Sequence, residues 1–360
     1  MKEILRELNE KGYEAYVVGG YVRDYLLGIS SNDIDIATNA PINKIMSIFK
    51  GRGTAFKEYY SFHMNEGDNH YDITTYRKEL KYKKNKPTEL EVASSLKEDL
   101  LRRDFTINTF AINNDFKLVD LLGAKKDLDS KIIRVVGDTV SKFTEDKTRI
   151  LRAIRFYCTL DFDLHPDILK FLGSKKTCYL NEVTNEFKKS ELDKIFDSDN
   201  VSKFFFLLKR YKLSKYLGIS NYDEIKDVYN KYGVWAQIET SLPMSNKDKK
   251  IIKDIKTIVE KGDIYFYDVM HNSDEIIYNA ASILGLTEKV KVIKDTFKLH
   301  SILDIDMDFD LMFRYVKLDN FKKVYRDIER NIIEGYLENN RDSIEEYLRY
   351  YEWFEKFVFN

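Results

Sequence analysis

Up to about residue 138 the chain sets short apolar runs, at 15–18, 34–37, 71–75, 110–113 and 132–136, between stretches of helical spacing, and most of its glycines fall in this part. Runs of this length bounded by turn residues predict strands, and their alternation with helices predicts an α/β head. Beyond 138 the spacing changes. Apolar residues recur at i, i+3 and i+4, as in Ile150, Leu151 and Ile154, or Ile255, Ile258 and Val259, with few glycines and prolines between them. That pattern predicts helix after helix. Gly218, Gly233, Pro243, Gly262 and Gly335 mark expected loops or caps. The fold class expected is α+β: an α/β head followed by an all-helical remainder.

At 360 residues the chain is too long for one typical domain, and a hydrophobic content of 43% is ample for more than one core. No apolar run approaches a membrane span. The start, Met1-Lys2-Glu3-Ile4-Leu5-Arg6-Glu7, is charged and amphipathic and lacks the apolar core of a signal peptide, so a cytoplasmic protein is expected. Cys158 and Cys178 are too few and too scattered for a disulfide framework or a zinc site and are expected in the core. The five histidines are isolated and carry no ligand role. A net charge of −1 argues against nucleic acid only if charge is spread evenly. It is not: Lys209, Arg210, Lys212 and Lys215 follow an apolar helix face, and Lys247, Lys249, Lys250, Lys253 and Lys256 form a second cluster. Each cluster is a basic RNA-facing surface or an ordinary solvated helix face.

The chemistry lies in Val18-Gly19-Gly20-Tyr21-Val22-Arg23-Asp24 and Asn32-Asp33-Ile34-Asp35-Ile36. The glycine pair admits a tight turn with backbone close to a ligand, and 21–27 reads as a short helix whose first turn faces an anion. Arg23 adds a planar fork of donors suited to phosphate. In a strand, side-chain direction repeats every two residues, so Asp33 and Asp35 leave one face together. Hard Mg²⁺ takes carboxylate and phosphate oxygens, and such a site suits in-line phosphoryl displacement. Singly, the glycine pair reads as a turn and the aspartates as a solvated strand edge.

Gly19-Gly20-x-Val22-Arg23-Asp24-x-Leu26-Leu27-Gly28 with Asp33-x-Asp35-x-x-Thr38 resembles the head motif of the class II tRNA nucleotidyltransferase and bacterial poly(A) polymerase family. Asp72-Ile73-Thr74-Thr75-Tyr76-Arg77, Arg102-Arg103-Asp104-Phe105-Thr106-Ile107-Asn108, Val136-Gly137-Asp138 and 145–156 follow in the same order, so the resemblance covers about 16–157. It implies a nucleotidyltransferase head at 1–138, a helical neck with a nucleotide-recognition helix at 139–215, and a helical body and tail at 216–360 that bind tRNA. Asp72 is implied to join Asp33 and Asp35 at the metals and to help deprotonate the attacking 3'-hydroxyl, with an exposed strand residue as the plain alternative. Arg103 is implied to contact phosphate, and Asp104 and Asn108 the ribose; Asp104 also reads as a helix N-cap. Arg152 and Arg155 are implied to lie near the incoming nucleotide.

Glu145-Asp146-x-x-Arg149 bears on substrate choice. With 145 and 149 on one helix, a surface ion pair between them is the plain reading. The sharper reading pairs a carboxylate acceptor with a guanidinium donor. Cytosine and adenine each present an exocyclic amine beside a ring acceptor, whereas uracil and guanine present a carbonyl beside a ring N–H. Asp146 and Arg149 thus suit CTP and ATP. The resemblance implies template-independent CCA addition to tRNA, with A-only addition, poly(A) synthesis, or an RNA-binding protein on a dead polymerase head as alternatives. The Lys-rich, Pro-interrupted segment 78–91 reads as a mobile connection, to which the resemblance gives the part of a lever that switches the pocket from C to A. The chain departs from the family's His-Gly-Thr-like stretch at Tyr59-Tyr60-Ser61-Phe62-His63, and has Phe187 where many relatives carry Arg.

Overall fold

The apolar run at 34–37 lies in a strand, Asp33–Thr38 (β2), that buries Ile34 and Ile36 and leaves Asp33 and Asp35 exposed. It is flanked by Ala15–Val18 (β1) and Asn69–Thr75 (β5) in a seven-stranded sheet of order β3-β4-β5-β2-β1-β8-β9. The remaining members are Gly53–Phe56 (β3), Ser61–Glu66 (β4), Ala111–Ile112 (β8) and Leu118–Val119 (β9). β2 and β5 run parallel, and every other pair in the sheet is antiparallel. The computed structural model describes residues 1–296, 305–307 and 309–358.

Segment 78–91 is not the unpaired connection its composition predicts. It belongs to a β-hairpin of Arg77–Lys83 (β6) and Lys86–Val92 (β7), with Lys83 paired to Lys86 across a two-residue turn. Both turn residues, Lys84 and Asn85, have positive φ (51° and 63°), the geometry that matches the twist of two-residue hairpins. The many lysines conceal the strand alternation, because only a few side chains, Glu79 among them, turn inward.

A second correction concerns 145–149. One helix, Thr139–Glu145, opens on Asp138, whose side chain accepts from the Ser141 amide at 2.7 Å; another spans Thr148–Thr159. Between them Asp146 is extended (φ −135°, ψ 103°), so Glu145 and Arg149 do not share a helix. The second helix buries Ile150, Leu151, Ala153, Ile154 and Phe156, as its spacing requires. Cys158 on the same helix is buried, and burial pushes its thiol up to about 12. Cys178, expected in the core, is exposed on the 3₁₀ segment Lys175–Glu182.

The chain divides into two compact units: Met1–Ser220 with Thr240–Pro243, and Asn221–Glu239 with Met244–Asn360. Head and neck fall together in the first. In the second, helix Asn246–Glu260 buries Ile251, Ile255 and Ile258 in a cluster with Ile277, Ala280 and Ala281, while Lys247, Lys249, Lys250 and Lys253 stay on its exposed side. Gly233, expected as a loop, lies inside helix Lys231–Gln237 because a Cβ there would come within 2.3 Å of Asn279 Oδ1. A further cluster gathers Leu311, Met312, Val324, Ile328, Ile344 and Leu348. Among the described residues no helix is long and apolar enough to cross a membrane.

Candidate active site

Two register relations bring the acidic groups together. Asp35 pairs with Val18 on β1 and with Asp72 on β5, so Asp33, Asp35 and Asp72 stand on one face of the sheet. Chain leaving β1 turns at Gly19 (φ 79°) into the helix Gly20–Leu26. A Cβ at Gly19 would lie 2.6 Å from Asp35 Oδ2 and 3.0 Å from Arg103 Nη1, so glycine suits the positive φ and any larger residue would displace those two side-chain ends. Gly20 meets nothing closer than 3.6 Å.

Asp35 is held above the ordinary carboxylate range, first by desolvation within the surrounding protein and then by Asp72 and Asp33, against the pull of Arg103 and Arg102. Its side chain nonetheless remains solvent-accessible on the face of β2. A carboxylate destabilised by like charges and open on one side fits a divalent cation, whose charge would offset the repulsion. Among the described residues no three His, Cys, Asp or Glu side chains converge into a ready-made cage.

Asp72 Oδ1 accepts from Ser61 Oγ, and from Thr74 Oγ1 at 3.1 Å, with His63 Nε2 at 3.4 Å. His63 Nε2 lies 2.9 Å from Ser61 Oγ. Tyr60, just before Ser61, adopts a left-handed conformation (φ 54°).

Arginines stand beside the acidic face. Asp99, fully buried, bonds Arg102 Nε at 2.9 Å and Arg103 Nη2 at 3.4 Å; burial alone would raise its carboxyl, but Arg102 and Arg103 hold it below the usual range. Arg103 Nε and Arg77 Nε are buried without a hydrogen-bond partner among the described residues. Arg23 is buried, with its fork committed to Asp24 (2.7 and 2.8 Å) and Asn108 (2.7 Å) and its plane 4.8 Å from the Phe156 ring. Asp104 does not cap the 3₁₀ turn Thr106–Asn108. It accepts from the Phe105 amide, from Asn108 Nδ2 at 2.9 Å and from Arg152 at 2.6 and 2.9 Å. Burial opposes ionisation of Asp104, and Arg152 and Asn108 outweigh it, holding the carboxyl well below its ordinary range. Arg155 pairs with Glu191 at 2.6 Å.

A cleft of about 440 Å³ opens among these groups, with Arg77, Arg103, Asp104, Asp146, Arg149 and Phe187 in its lining. Asp146 Oδ1 accepts from Thr148 N (2.9 Å) and Thr148 Oγ1 (2.5 Å), and Oδ2 lies 3.9 Å from Arg149 Nε. Arg149 is buried, donating to Lys142 O and Glu145 (both 3.1 Å) and to Tyr82 OH (3.0 Å) and Arg102 O (3.3 Å). The hairpin is thus wired into this segment, since Tyr82 also bonds Glu79, and Asn85 accepts from the Lys147 amide at 3.1 Å.

The residues singled out in the sequence therefore fall into three neighbouring groups: the acidic face with Gly19 and Arg103, the cleft with Asp104, Asp146, Arg149 and Arg152, and the buried or paired Arg23, Asn108 and Arg155. Ser61, His63, Asp99, Tyr82 and Asn85 were not anticipated. For Asp99 the signal was its i+3 and i+4 spacing to Arg102 and Arg103; for Asn85, its place in a turn between Lys-rich segments.

Residues 15–134 match the family described as Poly A polymerase head domain. Over 96% of its length the chain is 29% identical to the CCA-adding enzyme of Bacillus subtilis, covering 96% of that protein. The solved Bacillus stearothermophilus CCA-adding enzyme in complex with CTP has a TM-score of 0.79 and 22% identity, with 99% of this chain and 97% of that one covered. The Thermotoga maritima CCA-adding enzyme complexed with tRNA gives a TM-score of 0.66 at 21% identity, with 96% and 93% covered. Fold class, an α/β nucleotidyltransferase head with a helical remainder, agrees with these structures.

Proposed function

We propose that this chain, whose head belongs to the poly A polymerase head-domain family, is a CCA-adding tRNA nucleotidyltransferase that extends the tRNA 3' end with CTP and ATP and uses no nucleic-acid template. The observation that carries the reading is the acidic face of Asp33, Asp35 and Asp72 beside a cleft that contains Asp146 and Arg149. Similarity to CCA-adding enzymes over nearly the whole chain supports it.

Asp33 and Asp35 would hold Mg²⁺, which when bound supplies charge neutralisation for the transferred phosphoryl group. Asp72 receives the proton of the attacking 3'-hydroxyl. The Gly19 turn brings backbone close to the phosphates, and Arg103, in the cleft lining, takes phosphate oxygen. Asp104, anchored by Arg152, and Asn108, which also fixes Arg23, form the ribose side of the site. Arg155, tied to Glu191, holds the recognition helix against the neck. Asp146 Oδ2 accepts from the exocyclic amine of cytosine or adenine, and Arg149 donates to the ring nitrogen beside it through Nε, since its terminal nitrogens are engaged within the protein. Uracil or guanine would leave buried polar groups unpaired at about 1–3 kcal/mol each. The reaction takes place in the cytoplasm, on tRNA held by the helical body and tail.

The test takes tRNA transcripts lacking the whole CCA, its last two nucleotides, or only the final A, and incubates each with CTP and ATP separately and together. Sequenced product ends should read CCA from every start. Products that grow only from transcripts ending in CC would make it an A-adding enzyme, and long A runs a poly(A) polymerase.

A further inference from the structure

We infer that Ser61 is a positioning residue for nucleotidyl transfer: its hydroxyl occupies Asp72 Oδ1 and thereby reserves Oδ2 for the proton of the attacking 3'-hydroxyl. The inference rests on the proposed reading of Asp72 as the acceptor of that proton.

Ser61 opens β4 and is 3% exposed; its register partner on β5 is Thr74, two residues from Asp72. A serine hydroxyl has one proton, and here it goes to Asp72 Oδ1. The 2.9 Å contact between His63 Nε2 and Ser61 Oγ is then a donation from the imidazole Nε2–H. The His63 ring is held in turn by Phe56, with centroids 4.6 Å apart. Thr74 Oγ1 adds a second donor to the same oxygen at 3.1 Å. Asp72 Oδ1 is therefore saturated, and Oδ2 has no hydrogen-bond partner among the described residues.

This asymmetry matters for the transfer step. The 3'-oxygen forms a bond to the α-phosphorus, the bond from that phosphorus to the β-bridging oxygen breaks, and pyrophosphate leaves with the electron pair. The hydroxyl proton passes to Asp72. A carboxylate free to rotate presents either oxygen in many directions, whereas one pinned by two hydroxyls presents one oxygen along one line. Groups that orient a reacting residue in this way typically affect rate by about ten- to a hundredfold.

Four variants decide the matter: Ser61→Ala, and the pair Ser61→Thr and Ser61→Val, which match in shape and differ in the hydroxyl. The expected result is a kcat for single-nucleotide addition about ten- to a hundredfold lower in Ser61→Ala and Ser61→Val, with KM for CTP and ATP within about twofold of the parent. Ser61→Thr should recover most of the rate. Thermal midpoints of the Thr and Val variants should agree, so that packing cancels between them. As a fourth, Thr74→Val, which removes the weaker donor, should lose less than Ser61→Val. Parent-like kcat in Ser61→Val, or equal loss in Ser61→Thr and Ser61→Val, overturns the inference and leaves the proposed function standing. A parent protein that extends no transcript overturns the function and this inference with it.

Discussion

Asn85 Oδ1, at the turn of the β6–β7 hairpin, accepts a hydrogen bond from the Lys147 amide at 3.1 Å, between Asp146 and Thr148. Its Nδ2 donates to Glu182 O at 3.0 Å, so one side chain joins the hairpin tip to two separate parts of the neck. Any displacement of the hairpin tip pulls on the backbone that carries Asp146.

Replacement of residues 79–90 by a short Gly-Ser linker is expected to leave CC addition nearly intact and to suppress the terminal A, because on the proposed reading the pocket is readjusted for adenine after the second C. Terminal addition to a transcript ending in CC is the measurement. Normal A addition would end the lever idea, and joint loss of C addition would make the hairpin a structural support of Arg149 through Tyr82.

Asp33→Ala and Asp35→Ala should each abolish incorporation of both nucleotides while tRNA binding, measured by filter retention, stays near the parent value. Gly19→Ala should behave like Asp35→Ala in activity, since its methyl would meet Asp35 Oδ2 at 2.6 Å. Parent-like addition by either aspartate variant removes the metal site.

Asp146→Ala should weaken use of CTP and ATP and relax discrimination against UTP by roughly ten- to a hundredfold, on about 1–3 kcal/mol of base readout. Arg149→Ala should relax selectivity similarly and also lower stability, because its buried guanidinium holds Glu145, Tyr82 and two carbonyls. Kinetics with all four nucleoside triphosphates, beside thermal melts, separate the two effects. Unchanged selectivity in both variants restores a plain ion-pair role.

Asp104 titrates below its unfolded value because Arg152 and Asn108 outweigh the cost of burial. A depressed carboxylate contributes stability that is complete above the unfolded value of about 3.9 and is lost as pH falls through the folded one. Asp104→Asn should therefore lower stability at pH 7 by about 1–3 kcal/mol and flatten the acid limb of a stability–pH curve. A mutant curve parallel to the parent's below pH 4 would contradict the coupling.

Strands β1, β2 and β5 were legible because each alternates or runs apolar over several residues, and Asp33 and Asp35 could be put on one face from the period alone. The hairpin was not, since its register is set by a positive-φ pair at Lys84 and Asn85 that composition does not advertise. Nor was the break at Asp146, where a side chain that accepts from Thr148 restarts the next helix. Ser61 escaped notice for another reason: it meets Asp72 only because β4 and β5 pair, and pairing partners are a property of the sheet.

The acidic face has a parity. Asp33 and Asp35 share their side with Asp72 because the first two lie two positions apart and because β2 and β5 pair in register. Loss or gain of one residue inside either strand would turn its aspartates toward the core and its isoleucines toward the nucleotide, whereas a change of two would keep the faces. Length variation in descendants of this chain should therefore gather in turns such as the one at Gly67, between β4 and β5, and should be rare and paired within β2 and β5.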